Sequence, residues 1–172
     1  MRAKDIRKMA GEGPIPMVTA YDAPTAAIAE AAGIDLLLVG DSVGNLRHGY
    51  DSTLPVTVDE VASHTASVVR GADEAFVVAD MPFLSYGADT DEAIEHCGRM
   101  VKEAGADAVK LESGDHTVEL TDRLTDIGVP VQAHLGLTPT GERDRPVQAG
   151  DQHGGRPRDT GPRAQTPASG RV

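Results

Sequence analysis

A parallel α/β fold is what this 172-residue sequence predicts, and three observations predict it. Five short apolar runs recur along the chain, with the length of buried strands rather than helices. Ala- and Glu-rich stretches separate them, and glycines fall where those stretches end. Helix, glycine, then strand, repeated four times, is the βα-unit pattern.

In chain order, the first run is residues 16–20 (PMVTA). A helix over 23–32 follows, with Pro24 at its start, where a missing N–H costs nothing, and Gly33 at its end. The second run is 35–40 (DLLLVG), and 50–55 reads as a connecting loop. A helix over 58–69 takes Asp59 as N-cap and Gly71 as C-cap. The third run is 75–80 (AFVVAD), followed by a helix over 90–104 between Asp89 and Gly105. Then come 108–112 (AVKLE), a helix over 117–126 bounded by Thr117 and Gly128, and a fifth run at 129–134 (VPVQAH).

Composition agrees and narrows the function. Hydrophobic residues make up 40%, yet there are two Phe, three Tyr and no Trp, so the core is aliphatic, as buried parallel strands and Ala-rich helices require. A formal charge of −11 argues against nucleic acid or anionic membrane as partner. The single cysteine, Cys97, excludes an intramolecular disulfide and reads as a small core residue. No apolar run approaches a membrane span, and residues 1–10 are basic without the apolar stretch of a signal peptide, so a cytoplasmic setting is expected. Acidic residues number 27 against four Lys and twelve Arg, a balance that fits solubility at high salt.

The pattern stops near residue 139. Residues 140–172 hold no Ile, Leu, Met, Phe, Tyr or Trp, but six Gly, four Pro and six Arg. Such a stretch cannot offset the entropy of ordering, so a disordered tail is expected there, beside a folded unit at 1–139. Its composition is that of GC-rich DNA read out of frame, and a frameshift near codon 139 is the expectation.

In parallel α/β folds the active site lies at the C-terminal ends of the strands. Those ends carry Asp41 and Ser42, Asp80, Lys110 and Glu112, and His134. Charges placed in or directly after apolar strands need partners or a metal. Asp41 and Asp80 end consecutive strands, where two carboxylates repel unless a cation lies between them. Oxygen ligands without clustered Cys or His favour Mg²⁺ over zinc. Lys110 and Glu112, two apart, point to one face of their strand, the interior. Glu112 can then join the metal's surroundings while Lys110 holds a substrate carboxylate. Any one of these residues alone reads as a cap or a strand-end ion pair; together they point to a metal-assisted site for an anionic substrate. His64 and His96 read as surface or satisfied helix histidines, and Gly11 and Gly13 lack the following GK[ST] of a phosphate loop.

These residues lie in stretches that resemble the ketopantoate (3-methyl-2-oxobutanoate) hydroxymethyltransferase family: MVTAYDAPTA (17–26), LLLVGDSVGN (36–45), GYDSTLPVT (49–57), VVADMPFLSY (77–86), EAGADAVKLE (103–112) and HLGLTP (134–139). The resemblance implies a (β/α)8 TIM-barrel enzyme, homo-oligomeric when intact, of which this chain holds about five βα units. It also implies transfer of a hydroxymethyl group from 5,10-methylenetetrahydrofolate, or a related pterin, to 3-methyl-2-oxobutanoate through a Mg²⁺-stabilised enolate, giving 2-dehydropantoate in pantothenate and coenzyme A biosynthesis. By the same resemblance Asp41, Asp80 and Glu112 belong to the metal site. Asp41, Ser42, Asp80 and Lys110 belong to the substrate site, and His134 lines the pocket. The family's general base, a glutamate on a later strand, has no match here, since Glu142 lies in the degenerate tail. Strands one and five are expected to leave open edges. Two alternatives stay open: an inactive fragment lacking the base, and a Mg²⁺-dependent oxo-acid lyase of the phosphoenolpyruvate mutase/isocitrate lyase type, which the VGDSVGN and VKLE contexts disfavour.

Overall fold

Each apolar run forms a strand: β1 (Met17–Thr19), β2 (Leu36–Val39), β3 (Phe76–Asp80), β4 (Ala108–Glu112) and β5 (Val131–His134). They lie side by side in chain order, every pair parallel. Parallel neighbours need crossover connections, and α2 (Ala23–Ala31), α3 (Val58–Gly71), α4 (Thr90–Lys102) and α5 (Val118–Asp126) provide them. The computed structural model describes residues 1–136. The expectations of a disordered or frameshifted stretch at 140–172 therefore lie outside the described residues.

Alternation along the strands splits their side chains between two environments. Leu37, Val39, Val77, Ala79, Val109 and Leu111 face the helices and form the main core with Val61, Val68, Cys97, Met100, Leu120 and Leu124. Leu36, Phe76, Val78 and Ala108 face the opposite side, where Ala3 and Ile6 of an added helix, α1 (Ala3–Met9), pack against them. The sequence reading missed α1, a seven-residue helix with no buried residue of its own. It is too short to be stable alone and depends on docking. Cys97 is fully buried in α4, and burial pushes its thiol up to about 12, so it acts as a small hydrophobe.

Three caps differ from expectation, the first being Thr117, which precedes α5 without a side-chain cap bond because its hydroxyl pairs with the Gly114 backbone. Asp59 does not cap α3; Thr57 does, its hydroxyl accepting from the Glu60 N–H while the Glu60 carboxylate accepts from the Thr57 N–H at 2.7 Å. This Thr-x-x-Glu capping box satisfies two helix-end donors at once, which Asp59, inside the first turn, cannot do. Gly71 is no C-cap either, since it is the last residue of α3 and the chain leaves through Ala72. It is glycine because a Cβ there would stand 2.2 Å from the Ala23 carbonyl oxygen, where α3 meets the start of α2. Asp89 does cap α4, accepting from the N–H groups of Asp91 and Glu92.

Within the described residues β1 and β5 each pair on one side only. Val18, Gln132 and Ala133 are exposed accordingly.

Candidate active site

Strand register assembles the charged residues. Asp80 is opposite Lys110 in the β3–β4 pair, and Glu112 is opposite His134 in the β4–β5 pair. Val39 is opposite Ala79, so Asp41, just past β2, reaches the same end of the sheet. The Lys110 ammonium donates to both Asp80 oxygens, at 2.9 and 3.0 Å, and to Glu112 Oε1. The other Glu112 oxygen meets His134 Nδ1. Because a carboxylate only accepts, Nδ1 is the donor of that pair. A continuous chain Asp80–Lys110–Glu112–His134 thus crosses three strands. It grades from buried to open, with side-chain exposures of 9% at Asp80 and 39% at His134.

Ser42 stands apart from this ion chain and hydrogen-bonds the Tyr21 hydroxyl at 2.7 Å. Tyr86, on the loop after β3, accepts the Glu112 backbone N–H at 3.1 Å and so ties that loop to the end of β4. On the same loop, Leu84 is the one described non-glycine residue with positive φ, at 62°. That conformation costs on the order of 1 kcal/mol, and the anchors at Ser85 and Tyr86 hold it in place. Sequence reasoning did not single out Tyr21 or Tyr86. Tyr21 follows β1 as Asp41 follows β2, and that shared strand-end position was the signal available. His64 and His96 have backbone-carbonyl partners, Tyr21 and Ser85, as expected of satisfied histidines.

The charges are unevenly matched. Burial lifts the Asp80 carboxyl to about 6; Lys110 opposes the rise, while Asp41 and Glu112 add to it. For Lys110, burial is outweighed by the Asp80 charge and the hydrogen bonds to Glu112 and Asp80, so its affinity for a proton rises. Burial would raise Glu112 too, but hydrogen bonds from Lys110 and His134 hold it below the usual range. These directions are compatible, because Lys110 faces two contacting anions whereas Asp80 faces one cation and two other carboxylates. Burial and those two anions also push the Tyr86 phenol upward, which keeps it protonated.

A pH dependence follows. In the folded state Asp80 binds its proton more tightly than in the unfolded chain, so stability falls as pH rises from about 4 to about 6. The cost at full ionisation is on the order of 3 kcal/mol. Glu112 has the opposite sign, contributing stability above its unfolded pKa that is lost at lower pH. With chelator present, urea unfolding of wild type and Asp80→Asn should therefore diverge between pH 4 and pH 6.5, wild type gaining relative stability at the acid end. Parallel curves would contradict the burial of this carboxylate.

Among the described residues no three His, Cys, Asp or Glu side chains gather closely enough to hold an ion unaided. Mg²⁺ does not require that, since it commonly takes one or two carboxylates with water and substrate oxygens. The donor chemistry fits: three carboxylates (Asp41, Asp80, Glu112) against one ammonium (Lys110) leave two negative charges before His134 is counted. A cavity of about 290 Å³ lies at the opposite end of the strands, by Met1, Glu74 and Asp107, away from this chemistry. No helix among the described residues is long and apolar enough to cross a membrane.

A family model described as ketopantoate hydroxymethyltransferase matches residues 1–149. The 3-methyl-2-oxobutanoate hydroxymethyltransferase of Natronomonas pharaonis is 73% identical over 144 residues, 84% of this chain and 54% of that protein. Its namesake in Haloarcula marismortui is 64% identical over 136 residues (79% and 51%), and that of Thermotoga maritima 52% over 139 residues (81% and 51%). The chain spans about half the length of the curated relatives it matches. Among solved structures, oxaloacetate acetylhydrolase in complex with oxalate superposes with a TM-score of 0.58 at 14% identity, covering 76% of this chain and 51% of that one. A 2,3-dimethylmalate lyase, a PEP mutase/isocitrate lyase superfamily member, gives 0.53 at 17% identity (76% and 53%). At such identities the likeness shows the fold alone, a (β/α) barrel.

Proposed function

The chain belongs to the ketopantoate hydroxymethyltransferase family, and from that premise we propose that the C-terminal ends of β2, β3 and β4 bind Mg²⁺ and 3-methyl-2-oxobutanoate for hydroxymethyl transfer. The observation that carries this reading is the ion chain Asp80–Lys110–Glu112–His134, with Asp41 acting on it and two negative charges unbalanced. Asp41 and Asp80 would hold the ion. Glu112 belongs to its surroundings and orients Lys110 and His134, which occupy its two oxygens. When bound, Mg²⁺ supplies Lewis acidity for the negative charge that develops as the C3 proton leaves.

The chain's own residues do the rest. Lys110 would receive the substrate carboxylate, Ser42 would offer its hydroxyl to the same ligand from the end of β2, and His134 would line the pocket. The base that abstracts the proton in the family is, by the resemblance, a glutamate on a later strand, and it has no match in this sequence. The one-carbon donor, 5,10-methylenetetrahydrofolate or a related pterin, the product 2-dehydropantoate, association with further copies and a cytoplasmic setting are parts of the same proposal. The solved lyases and hydrolases share the fold only, so they lend the lyase alternative no support at the level of the site.

Mg²⁺ titration of the chain by calorimetry tests this reading. Wild type should bind the ion, and Asp41→Asn and Asp80→Asn should each weaken binding at least tenfold, the equivalent of about 1.4 kcal/mol. Equal affinity in all three proteins would refute the assignment.

A further inference from the structure

We infer that Tyr21 is a positioning residue for substrate binding and that it acts through Ser42. The inference rests on the functional reading above, in which Ser42 meets the oxo acid. The two hydroxyls lie 2.7 Å apart, and either could donate. Only one arrangement serves an anionic substrate: Tyr21 donates to Ser42 Oγ, leaving the Ser42 proton free to be given to the ligand. A phenol is the better donor of the two, and a serine that accepts one hydrogen bond donates a stronger one.

Tyr21 is held more firmly than a packing role requires. It is 6% exposed, and its backbone carbonyl accepts from His64 Nδ1 on α3 at 2.7 Å. The Arg47 guanidinium lies 5.8 Å from its ring centroid. Arg47 is itself tied to Asp22 at 2.9 Å, and Asp22 caps α2 through the Thr25 N–H. Helix α3 thus holds the Tyr21 backbone, the turn after β2 covers its ring through an arginine tied to the cap of α2, and its hydroxyl meets Ser42. Gly40 completes the arrangement, because a Cβ there would stand 2.7 Å from Ser42 Oγ and displace it. A ring needed only for packing would not call for a hydroxyl in this buried position.

The test is a double-mutant cycle read by calorimetric binding of 3-methyl-2-oxobutanoate in saturating Mg²⁺, using wild type, Tyr21→Phe, Ser42→Ala and the double variant. Tyr21→Phe should weaken oxo-acid binding about tenfold while leaving Mg²⁺ affinity and the thermal midpoint near wild type, results that a merely structural role would reverse. In the Ser42→Ala background the same change should cost nothing further. A loss that persists undiminished without Ser42, or no loss where Ser42→Ala shows one, overturns the positioning role alone. Wild type that binds no oxo acid, or Ser42→Ala that binds as wild type does, overturns the functional reading and this inference together.

Discussion

Lys110→Met should destabilise the chelator-treated protein by about 3–5 kcal/mol, the cost of removing one member of a buried ion pair and leaving its partners uncompensated. Lys110 is the single cation among Asp80, Glu112 and Asp41, and its side chain is 12% exposed. Methionine retains most of the apolar stem, so packing changes little and the loss reports the charge. Mg²⁺ should restore much of that stability, because the divalent ion would neutralise the same carboxylates; oxo-acid binding should stay lost, since the group proposed to meet the substrate carboxylate is gone. Urea unfolding with EDTA and with saturating Mg²⁺ separates the two effects. A variant as stable as wild type in EDTA would mean that these carboxylates do not depend on Lys110 for compensation.

Gly71→Ala should cost about 3 kcal/mol, at the upper end of what overpacking usually does. An added Cβ would lie 2.2, 2.5 and 2.7 Å from the carbonyl oxygen, Cα and carbonyl carbon of Ala23. All three are backbone atoms, so no side chain can swing aside, and α2 must move off α3. The gain in helix propensity from Gly to Ala is only about 1 kcal/mol and does not reverse the sign. Gly98, within α4, supplies the control: a Cβ there meets nothing within 4 Å. Gly98→Ala should therefore stabilise by up to about 1 kcal/mol. If both substitutions shifted the urea midpoint in the same direction, the close crossing of α2 and α3 would be wrong.

The strands were legible because periodicity and length are strong local signals. All five apolar runs became strands, four of them trimmed by a residue or two at their ends and the run 108–112 unchanged. Gly33, Gly105 and Gly128 were legible for a local reason too, each having positive φ, at 85°, 83° and 92°. Gly71 was misread because its requirement is tertiary: nothing near residue 71 in the chain announces that Ala23 packs against it. Helix α1 was missed for the same reason, since its burial partner is the far face of the sheet.

The site divides in the same way. Strand-end position picked out Asp41, Ser42, Asp80, Lys110, Glu112 and His134, and the register brings four of them into one hydrogen-bonded chain. The direction of those bonds was not legible. That both Glu112 oxygens are engaged, by Lys110 and His134, depends on rotamers and on a neighbouring strand's register rather than on residue type. Tyr21 and Tyr86 escaped notice because a tyrosine after a strand usually means packing, and only the paired hydroxyl or amide reveals more.

Calorimetric titration of 3-methyl-2-oxobutanoate into the wild-type chain, with Mg²⁺ and again with EDTA, tests the proposed site most directly. Saturable binding with Mg²⁺, lost in EDTA, is the expected result, because three carboxylates against one lysine repel an anionic ligand until the ion offsets them. Binding of equal strength in EDTA would contradict a metal-dependent oxo-acid site at the ends of these strands.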